Sequence, residues 1–328
     1  MHFTGSAMKV KQDRFLISLL RLVRWPNLLI VALTQFMIFY VLIGSVYRRH
    51  DATAALEPFL FILLVFTTVL ISAAGYVIND YFDVRTDRIN KPEKLIIGKS
   101  IPRRNAIKLH FIINAIVIVS GFFLSWKVGS FRLGLLFPLG VITLWFYSER
   151  YKRKVLVGNL AVAVMSAMVV LVVWLFEFFA LRLQPDKFMT VYTSIGLVSR
   201  MVLAYVGFAF LLTLVREIIK DVEDLEGDAA TGCRTLPVVY GTGFARGISL
   251  ALLVVTLLSV VFCSFWLYTH AMPVPSFYFG LFVCLPVLVN IYLVFKSTGT
   301  SDFHRISTLL KITMLAGILG LIPLAIFL

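Results

Sequence analysis

The chain has 328 residues, of which 60% are hydrophobic and only 15% are charged, and its net charge is +14. A soluble domain of this length does not need so much apolar side chain, so the composition predicts an integral membrane protein. The basic residues lie in short segments between apolar runs, which is typical of cytoplasmic loops rather than of a nucleic-acid-binding surface. We therefore expect the lipid bilayer and no nucleic acid among its partners, and nothing in the sequence identifies a protein partner.

Nine apolar runs have the length of about 20 residues that a helix needs to cross a bilayer. They are too long and too continuous for barrel strands, so the sequence predicts an all-α, polytopic bundle of nine transmembrane helices. The predicted spans are 25–47, 58–78, 106–126, 131–147, 155–180, 190–215, 247–268, 276–296 and 307–328. No linker divides the chain, so we expect a single domain over residues 1–328.

The basic residues also predict an orientation. Most of the 31 Lys and Arg residues precede the first span or follow the second, fourth, sixth and eighth spans. Cytoplasmic loops carry an excess of such residues. We therefore expect the N-terminus on the cytoplasmic side and the C-terminus on the outer side.

Two acidic segments share one spacing, although the chain contains only 17 Asp and Glu residues. Their aspartates fall at positions i, i+3 and i+7, as Asp80, Asp83 and Asp87 and again as Asp221, Asp224 and Asp228. On a helix this spacing puts three carboxylates on one face. The two long polar loops that carry them, 79–105 and 216–246, lie on the predicted cytoplasmic side with four helices between them. This arrangement suggests two related halves whose acidic segments face each other.

Carboxylates at this density repel one another unless a cation compensates them. Mg²⁺ is held in proteins by one or two carboxylates together with substrate phosphates. Two facing acidic segments would therefore hold two or more Mg²⁺ ions with a diphosphate between them, and nearby bases would bind its oxygens. The alternative is that these acids and bases are solvated charges at a membrane surface. The candidate diphosphate-binding bases include Arg85, Lys91, Lys94, Lys152, Arg153 and Lys220, and Asn27 at the start of the first span is a further candidate for substrate contact.

The residues around both segments resemble a known family. The pattern Asn79-Asp80-x-x-Asp83-x-x-x-Asp87-x-x-Asn90-Lys91-Pro92 is similar to the first aspartate-rich motif of the UbiA superfamily of intramembrane prenyltransferases. The pattern Asp221-x-x-Asp224-x-x-Gly227-Asp228 is similar to its second motif. The resemblance covers nearly the whole chain, because nine helices with these motifs after the second and sixth are the layout of that superfamily.

The resemblance implies an Mg²⁺-dependent reaction. A polyprenyl diphosphate donor loses its diphosphate, and a lipophilic acceptor captures the resulting allylic cation. Asp83 and Asp224 would be indispensable for turnover, and Tyr147 would lie near the reacting carbon. The implied metal ligands are Asn79, Asp80 and Asp83 for one Mg²⁺–diphosphate unit and Asp221 and Asp224 for the other, with Asp87 and Asp228 as ligands or supports. The implied diphosphate-neutralising bases are Lys91, Lys94, Lys152 and Arg153.

The acceptor is indicated by one further pattern. The run from Arg216 to Asp221 resembles the digeranylgeranylglyceryl-phosphate synthase branch, which prenylates an ether-linked glycerol phosphate lipid. That branch usually has Arg-Pro-x-x-Ser-Gly after the first motif, whereas this chain reads Lys-Leu-Ile-Ile-Gly-Lys at 94–99. Prenylation of an aromatic quinone precursor is an alternative. From another class, an ion-coupled secondary transporter is a further alternative, although its site would lie near the bilayer midplane. A CDP-alcohol phosphotransferase would need a motif that this chain lacks.

Overall fold

The computed structural model describes residues 16–90, 92–297 and 299–328. Within these residues nine helices are long and apolar enough to span a membrane, and no β-strand is formed, as the sequence predicted. The helices are α1 Trp25–Arg48, α2 Pro58–Ile89, α3 Arg103–Lys127, α4 Phe131–Glu149, α5 Val157–Arg182, α6 Pro185–Glu223, α7 Leu236–Thr269, α8 Pro273–Lys296 and α9 Ser301–Phe327.

The acidic segments are helical for most of their length, so the predicted loops 79–105 and 216–246 were too long. Helix α2 continues through Asp80, Asp83 and Asp87, and α6 continues through Asp221. The reason is that an apolar-run criterion ends a span where charged residues begin, whereas a helix continues as long as its backbone hydrogen bonds do. Because these turns are helical, the spacing of three and seven residues brings the carboxylates of each segment onto one face.

The bundle is held together by apolar contacts within and between two sets of helices. In the first set α2 packs against α3 and α4, and in the second set α6 packs against α7 and α9. The contact between α5 and α6 joins the two sets. The largest core cluster lies mainly among α1 to α6, and Phe39 and Phe61 stack within it at a ring-centroid distance of 4.0 Å. This packing leaves α2 and α6 on opposite sides of one internal space.

The two sets also meet at the ends of α2 and α6 that carry the aspartates. A short helix, Leu225–Ala230, follows α6 and packs against α2. Beside it, the hydroxyl groups of Thr86 and Thr231 are 3.4 Å apart. The backbone amide of Arg234 donates to the carbonyl oxygen of Arg153 at 2.9 Å, which ties the segment after this short helix to the α4–α5 connection. These contacts position the second acidic segment against the first.

Candidate active site

A cavity of about 1170 Å³ lies between α2 and α6, and it is also lined by residues of α1, α4, α5 and α9. All six aspartates of the two acidic segments line it. The sequence-based expectation that the two segments face one cavity is therefore confirmed. Deeper in the bundle the lining becomes apolar, with residues such as Ile71, Leu144 and Met165.

Asp80 and Asp83, near the end of α2, each hold a cation from another segment. Arg24 Nη2 donates to Asp80 Oδ1 at 2.8 Å. Lys152 Nζ pairs with Asp83 Oδ2, which also accepts a 2.7 Å hydrogen bond from Asn79 Nδ2. Burial opposes the charge on both bases, but the carboxylates outweigh it, so the pKa of Arg24 and the pKa of Lys152 lie above their ordinary values. Bases from two other segments therefore compensate part of the negative charge of the first motif.

Lys152 is positioned by close packing of its backbone against α5. It lies in the short 3₁₀ turn Tyr151–Arg153 between α4 and α5. Gly158, in the first turn of α5, lies so close to this turn that an added Cβ would be 2.8 Å from Lys152 Cα. Only glycine allows this approach, and it holds the lysine beside the carboxylate of Asp83.

The second motif is held mainly by polar contacts from α5 and from its own segment. Asn159 Nδ2 donates to Asp221 Oδ2 at 2.8 Å, and both side chains belong to the facing surfaces of α5 and α6. Asp224 follows the last residue of α6, and Asp228 lies on the short helix Leu225–Ala230. Burial raises the pKa of Asp228 to about 6; Lys152 lowers it, and the Asp224 carboxylate raises it. Asp228 therefore gains or loses its proton close to neutral pH.

The residues present are better suited to bind Mg²⁺ together with a diphosphate than to bind a metal ion through protein ligands alone. Among the described residues no three carboxylate, thiol or imidazole groups come close enough together to hold an ion by themselves. Asn79 Oδ1, however, is buried at the cavity wall and has no hydrogen-bond partner, so it is an available oxygen ligand beside Asp83. Mg²⁺ commonly takes one or two protein oxygens and completes its shell with phosphate oxygens and water. The donor set meets that requirement.

The predicted substrate-binding residues divide into three groups. Asn27, Tyr147, Lys152 and Lys220 line the cavity. Arg85 and Arg153 have exposed side chains and are not part of the lining, so the structure does not bring them together with the cluster. Lys91 lies outside the described residues, as does the side chain of Lys94, and their assignment stays a prediction.

Charged residues that the sequence did not identify as site residues also line the cavity, among them Arg24, Glu217 and Lys311, and Asn159 holds Asp221 from outside the lining. Arg24 was counted only among the bases that set the orientation, although the adjacent Trp25-Pro26 start of α1 places it at the cavity. Asn159 is an isolated polar residue in the first turn of α5, and no spacing in the sequence connects it with Asp221. Glu217 lies four residues before Asp221, one helical turn away and on the same face, which is a signal that could have identified it. No signal in the sequence connects Lys311 to this site.

The fold and the paired aspartate motifs define a class of intramembrane transferase. A model of the UbiA prenyltransferase family matches residues 37–315, and the chain belongs to this family. It is therefore a prenyltransferase and an integral membrane protein.

The chain is also similar in sequence to individual proteins of this family. The digeranylgeranylglyceryl phosphate synthase of Thermococcus gammatolerans is 30% identical over 251 residues, which are 76% of this chain and 80% of that protein. The protein of the same name from Pyrococcus abyssi is 35% identical over 190 residues, which are 57% of this chain and 59% of that protein.

Solved structures share the fold. A structure described as digeranylgeranylglyceryl phosphate synthase in membranes superposes with a TM-score of 0.64 at 22% identity, over 94% of this chain and 99% of that one. A UbiA homologue from Archaeoglobus fulgidus, bound to DMAPP and Mg²⁺, gives a TM-score of 0.52 at 16% identity, over 93% of this chain and 99% of that one.

Proposed function

We propose that this protein transfers a geranylgeranyl group from its diphosphate to a hydroxyl group of an ether-linked glycerol phosphate lipid, in an Mg²⁺-dependent reaction. The observation that carries the proposal is the single cavity that joins six aspartates at one end to an apolar chamber within the bundle. Such a cavity accommodates a molecule with a strongly anionic head and a long hydrocarbon tail. A prenyl diphosphate has this chemistry.

The head of the donor would bind between α2 and α6. Asn79, Asp80 and Asp83 would hold one Mg²⁺, and Asp221 and Asp224 would hold another. When bound, Mg²⁺ would neutralise the diphosphate and favour its departure. Lys152, which reaches the cluster from the α4–α5 connection, would donate a charge-assisted hydrogen bond to the leaving oxygens. Asp87 and Asp228 would complete or support the two ligand sets.

The cavity as a whole, from the aspartates to its apolar end, has a length comparable to that of a twenty-carbon prenyl chain. Helix α2 lines it from Asp83 to Thr68, fifteen residues or about 22 Å along the axis. Helix α4 lines it from Tyr147 to Leu136, about 16 Å. An extended geranylgeranyl chain with sixteen main-chain carbons spans about 19 Å at the length per bond of an extended polypeptide. With the diphosphate at the aspartates, the cavity therefore accommodates a large part of a geranylgeranyl chain.

The proposed transfer is a substitution at the first carbon of the prenyl chain. The bond from that carbon to the diphosphate oxygen breaks, and the electron pair leaves with the diphosphate. The acceptor hydroxyl oxygen forms the new ether bond to the carbon and releases its proton to the departing diphosphate. The π face of Tyr147, at the boundary between the charged and apolar parts of the cavity, would stabilise the allylic cation. The apolar walls would keep water from this cation.

The acceptor is proposed from the relatives and from one sequence pattern. Relatives named digeranylgeranylglyceryl phosphate synthase cover most of the chain. The run from Arg216 to Asp221 resembles the same branch, and its first residues line the cavity. We infer a phosphorylated lipid acceptor from these two likenesses together.

Orientation is part of the proposal. The excess of Lys and Arg beside the aspartate-bearing helix ends supports a site that faces the cytoplasm. In a cysteine-free background, a membrane-impermeant thiol reagent applied to intact cells should label a Lys187→Cys variant and should not label Arg153→Cys. The opposite labelling pattern would reverse the orientation.

The purified protein should be assayed with radiolabelled geranylgeranyl diphosphate, with and without Mg²⁺, against a prenyl ether of glycerol phosphate, 4-hydroxybenzoate and dihydroxynaphthoate. We expect product only with the glycerol phosphate ether and only with Mg²⁺. Transfer to an aromatic acceptor alone would move the protein to the quinone-forming branch. The absence of any transfer, together with ion-driven uptake in proteoliposomes, would favour the transporter alternative.

A further inference from the structure

A second group of cations lines the cavity apart from the bases that pair with the first aspartate motif. Arg216 and Lys220 project from α6, and Lys311 projects from α9. Arg24 and Lys152 already pair with Asp80 and Asp83, whereas none of these three cations forms an ion pair with a motif aspartate among the described residues. The second group therefore has a separate role in the same cavity.

Two of these cations, Arg216 and Lys311, lie deeper in the bundle than the second aspartate motif, whereas Lys220 directly precedes Asp221. Helix α6 carries Arg216 five residues before Asp221, which places it about 7 Å further from the end of the helix. Lys311 lies ten residues inside α9, within a membrane-spanning segment. A charged side chain within a span is costly and marks a substrate or ion site unless it is compensated.

The charges of this group do not cancel. Glu217 accepts hydrogen bonds from Arg216 Nη1 at 2.9 Å and from Lys220 Nζ at 3.2 Å, so one buried carboxylate serves two cations. Lys311 makes no ion pair with any described residue, and Arg216 Nε is buried without a hydrogen-bond partner. Three cations and one carboxylate leave two positive charges and an unused donor. A phosphate monoester carries about −1.5 to −2 charges at neutral pH and accepts several hydrogen bonds.

We propose that Arg216, Lys220 and Lys311 form a second anion site, which binds the phosphate monoester of the lipid acceptor. This inference rests on the proposed function, since it assigns the head-group site of the acceptor. The donor diphosphate is held by the aspartates through metal, and the acceptor phosphate is held by direct contacts with cations. Glu217 orients Arg216 and Lys220 through its hydrogen bonds with both. The position of Arg216 and Lys311, below the level of the second motif, would bring the acceptor glycerol beside the first carbon of the donor.

The test compares Lys311→Gln with Arg305→Gln, a control on the same helix whose exposed side chain is not part of the cavity lining. Each variant is assayed with a prenyl ether of glycerol phosphate and with the same ether lacking its phosphate. The preference for the phosphorylated acceptor is measured as the ratio of the kcat/KM values for the two acceptors. We expect this ratio to be about tenfold lower in the Lys311→Gln variant than in the wild-type protein, which is the effect of losing one charge-assisted hydrogen bond. The KM for geranylgeranyl diphosphate should stay at the wild-type value. R305Q should match the wild-type protein in both measurements.

A binding measurement separates this inference from the proposed function. Calorimetric titration of metal-free protein with glycerol 1-phosphate should show weaker binding to K311Q than to R305Q, whether or not any acceptor is prenylated. Equal affinities of the two variants for glycerol 1-phosphate would overturn the second anion site. The same conclusion would follow if Lys311→Gln lowered kcat/KM equally for both acceptors, or if it raised the KM for the donor. Failure of the wild-type protein to use either acceptor, with the binding difference intact, would overturn only the proposed transfer reaction.

Discussion

Gly158 allows a direct test of how the packing of α5 positions Lys152. In a Gly158→Ala variant the new Cβ would lie 2.8 Å from Lys152 Cα, 3.0 Å from Lys152 N and 3.0 Å from Tyr151 O. All three neighbours are backbone atoms, so no change of rotamer relieves the contact. Ordinary contacts begin at 3.4 Å, and the turn must therefore retreat by about 0.6 Å at the nearest atom.

Two effects should follow from this retreat. Overpacking of this kind lowers the free energy of unfolding by about 1–3 kcal/mol. The displacement also moves Lys152 away from Asp83, and a misplacement of about 1 Å at a reacting site costs up to about a hundredfold in rate. For 0.6 Å at the backbone we expect kcat for prenyl transfer to fall about tenfold.

The assay is single-turnover transfer by purified protein, with thermal unfolding measured on the same preparation. Gly196→Ala is the matched control, because this glycine lies inside α6 and an added Cβ would meet nothing within 4 Å. That variant should keep the wild-type rate and lose no stability, since alanine is favoured over glycine within a helix by about 1 kcal/mol. A wild-type rate for Gly158→Ala would refute the positioning role of this contact.

Three further predictions concern the carboxylates. Asp83→Ala or Asp224→Ala should abolish turnover while the elution profile in size-exclusion chromatography stays unchanged; near-normal turnover would exclude the metal–diphosphate model. Because the pKa of Asp228 is about 6, its carboxylate is about 90% ionised at pH 7 and about 10% at pH 5, so half-maximal activity should need about tenfold more Mg²⁺ at pH 5. Asp228→Asn should reduce this pH dependence, and an unchanged one would contradict the assignment. Glu177 accepts the backbone amides of Ala55 and Leu56 at 2.8 and 2.9 Å, so Glu177→Gln leaves one buried donor unpaired and should lower the free energy of unfolding by about 1–3 kcal/mol, measured by denaturant titration, with little effect on the rate of transfer per folded molecule.

The sequence was sufficient for the nine spans and for the six aspartates of the cavity. Long apolar runs fold as helices in a membrane because every backbone polar group must find an internal partner. The spacing of the aspartates then determines which face of each helix carries them. Both features could be predicted because each depends on a local rule, helix formation in an apolar run and the periodicity of a helix.

Helical geometry also explains one unsupported prediction. Arg85 lies two residues after Asp83, which is about 200° around a helix, so its exposed position follows once α2 is known to continue past the apolar run. The prediction treated 79–105 as a loop, in which every base could turn towards the aspartates. The helix boundary that was placed too early therefore accounts for the expectation that Arg85 would turn towards the aspartates.

The roles of Lys311 and Asn159 could not be predicted from the residues around them in the sequence. Each is an isolated polar residue in an apolar helix, and its role depends on which surface of α6 or α2 it faces. That surface is determined by packing among helices distant in the chain, such as α6 with α9 and α5 with α6. No spacing rule within one helix reports on these contacts.

The contact between the short helix Leu225–Ala230 and α2 has a consequence for how activity is lost. This helix has six residues, and it joins the other set of helices through few contacts, including the 3.4 Å Thr86–Thr231 approach. Segments with so few buried contacts open at a lower free energy than the helices they connect. Mild heat or a protease acting on 224–235 should therefore inactivate the protein while all nine helices remain assembled in the bilayer. Helix content therefore reports whether the bundle is intact, but it does not report whether the active site is assembled.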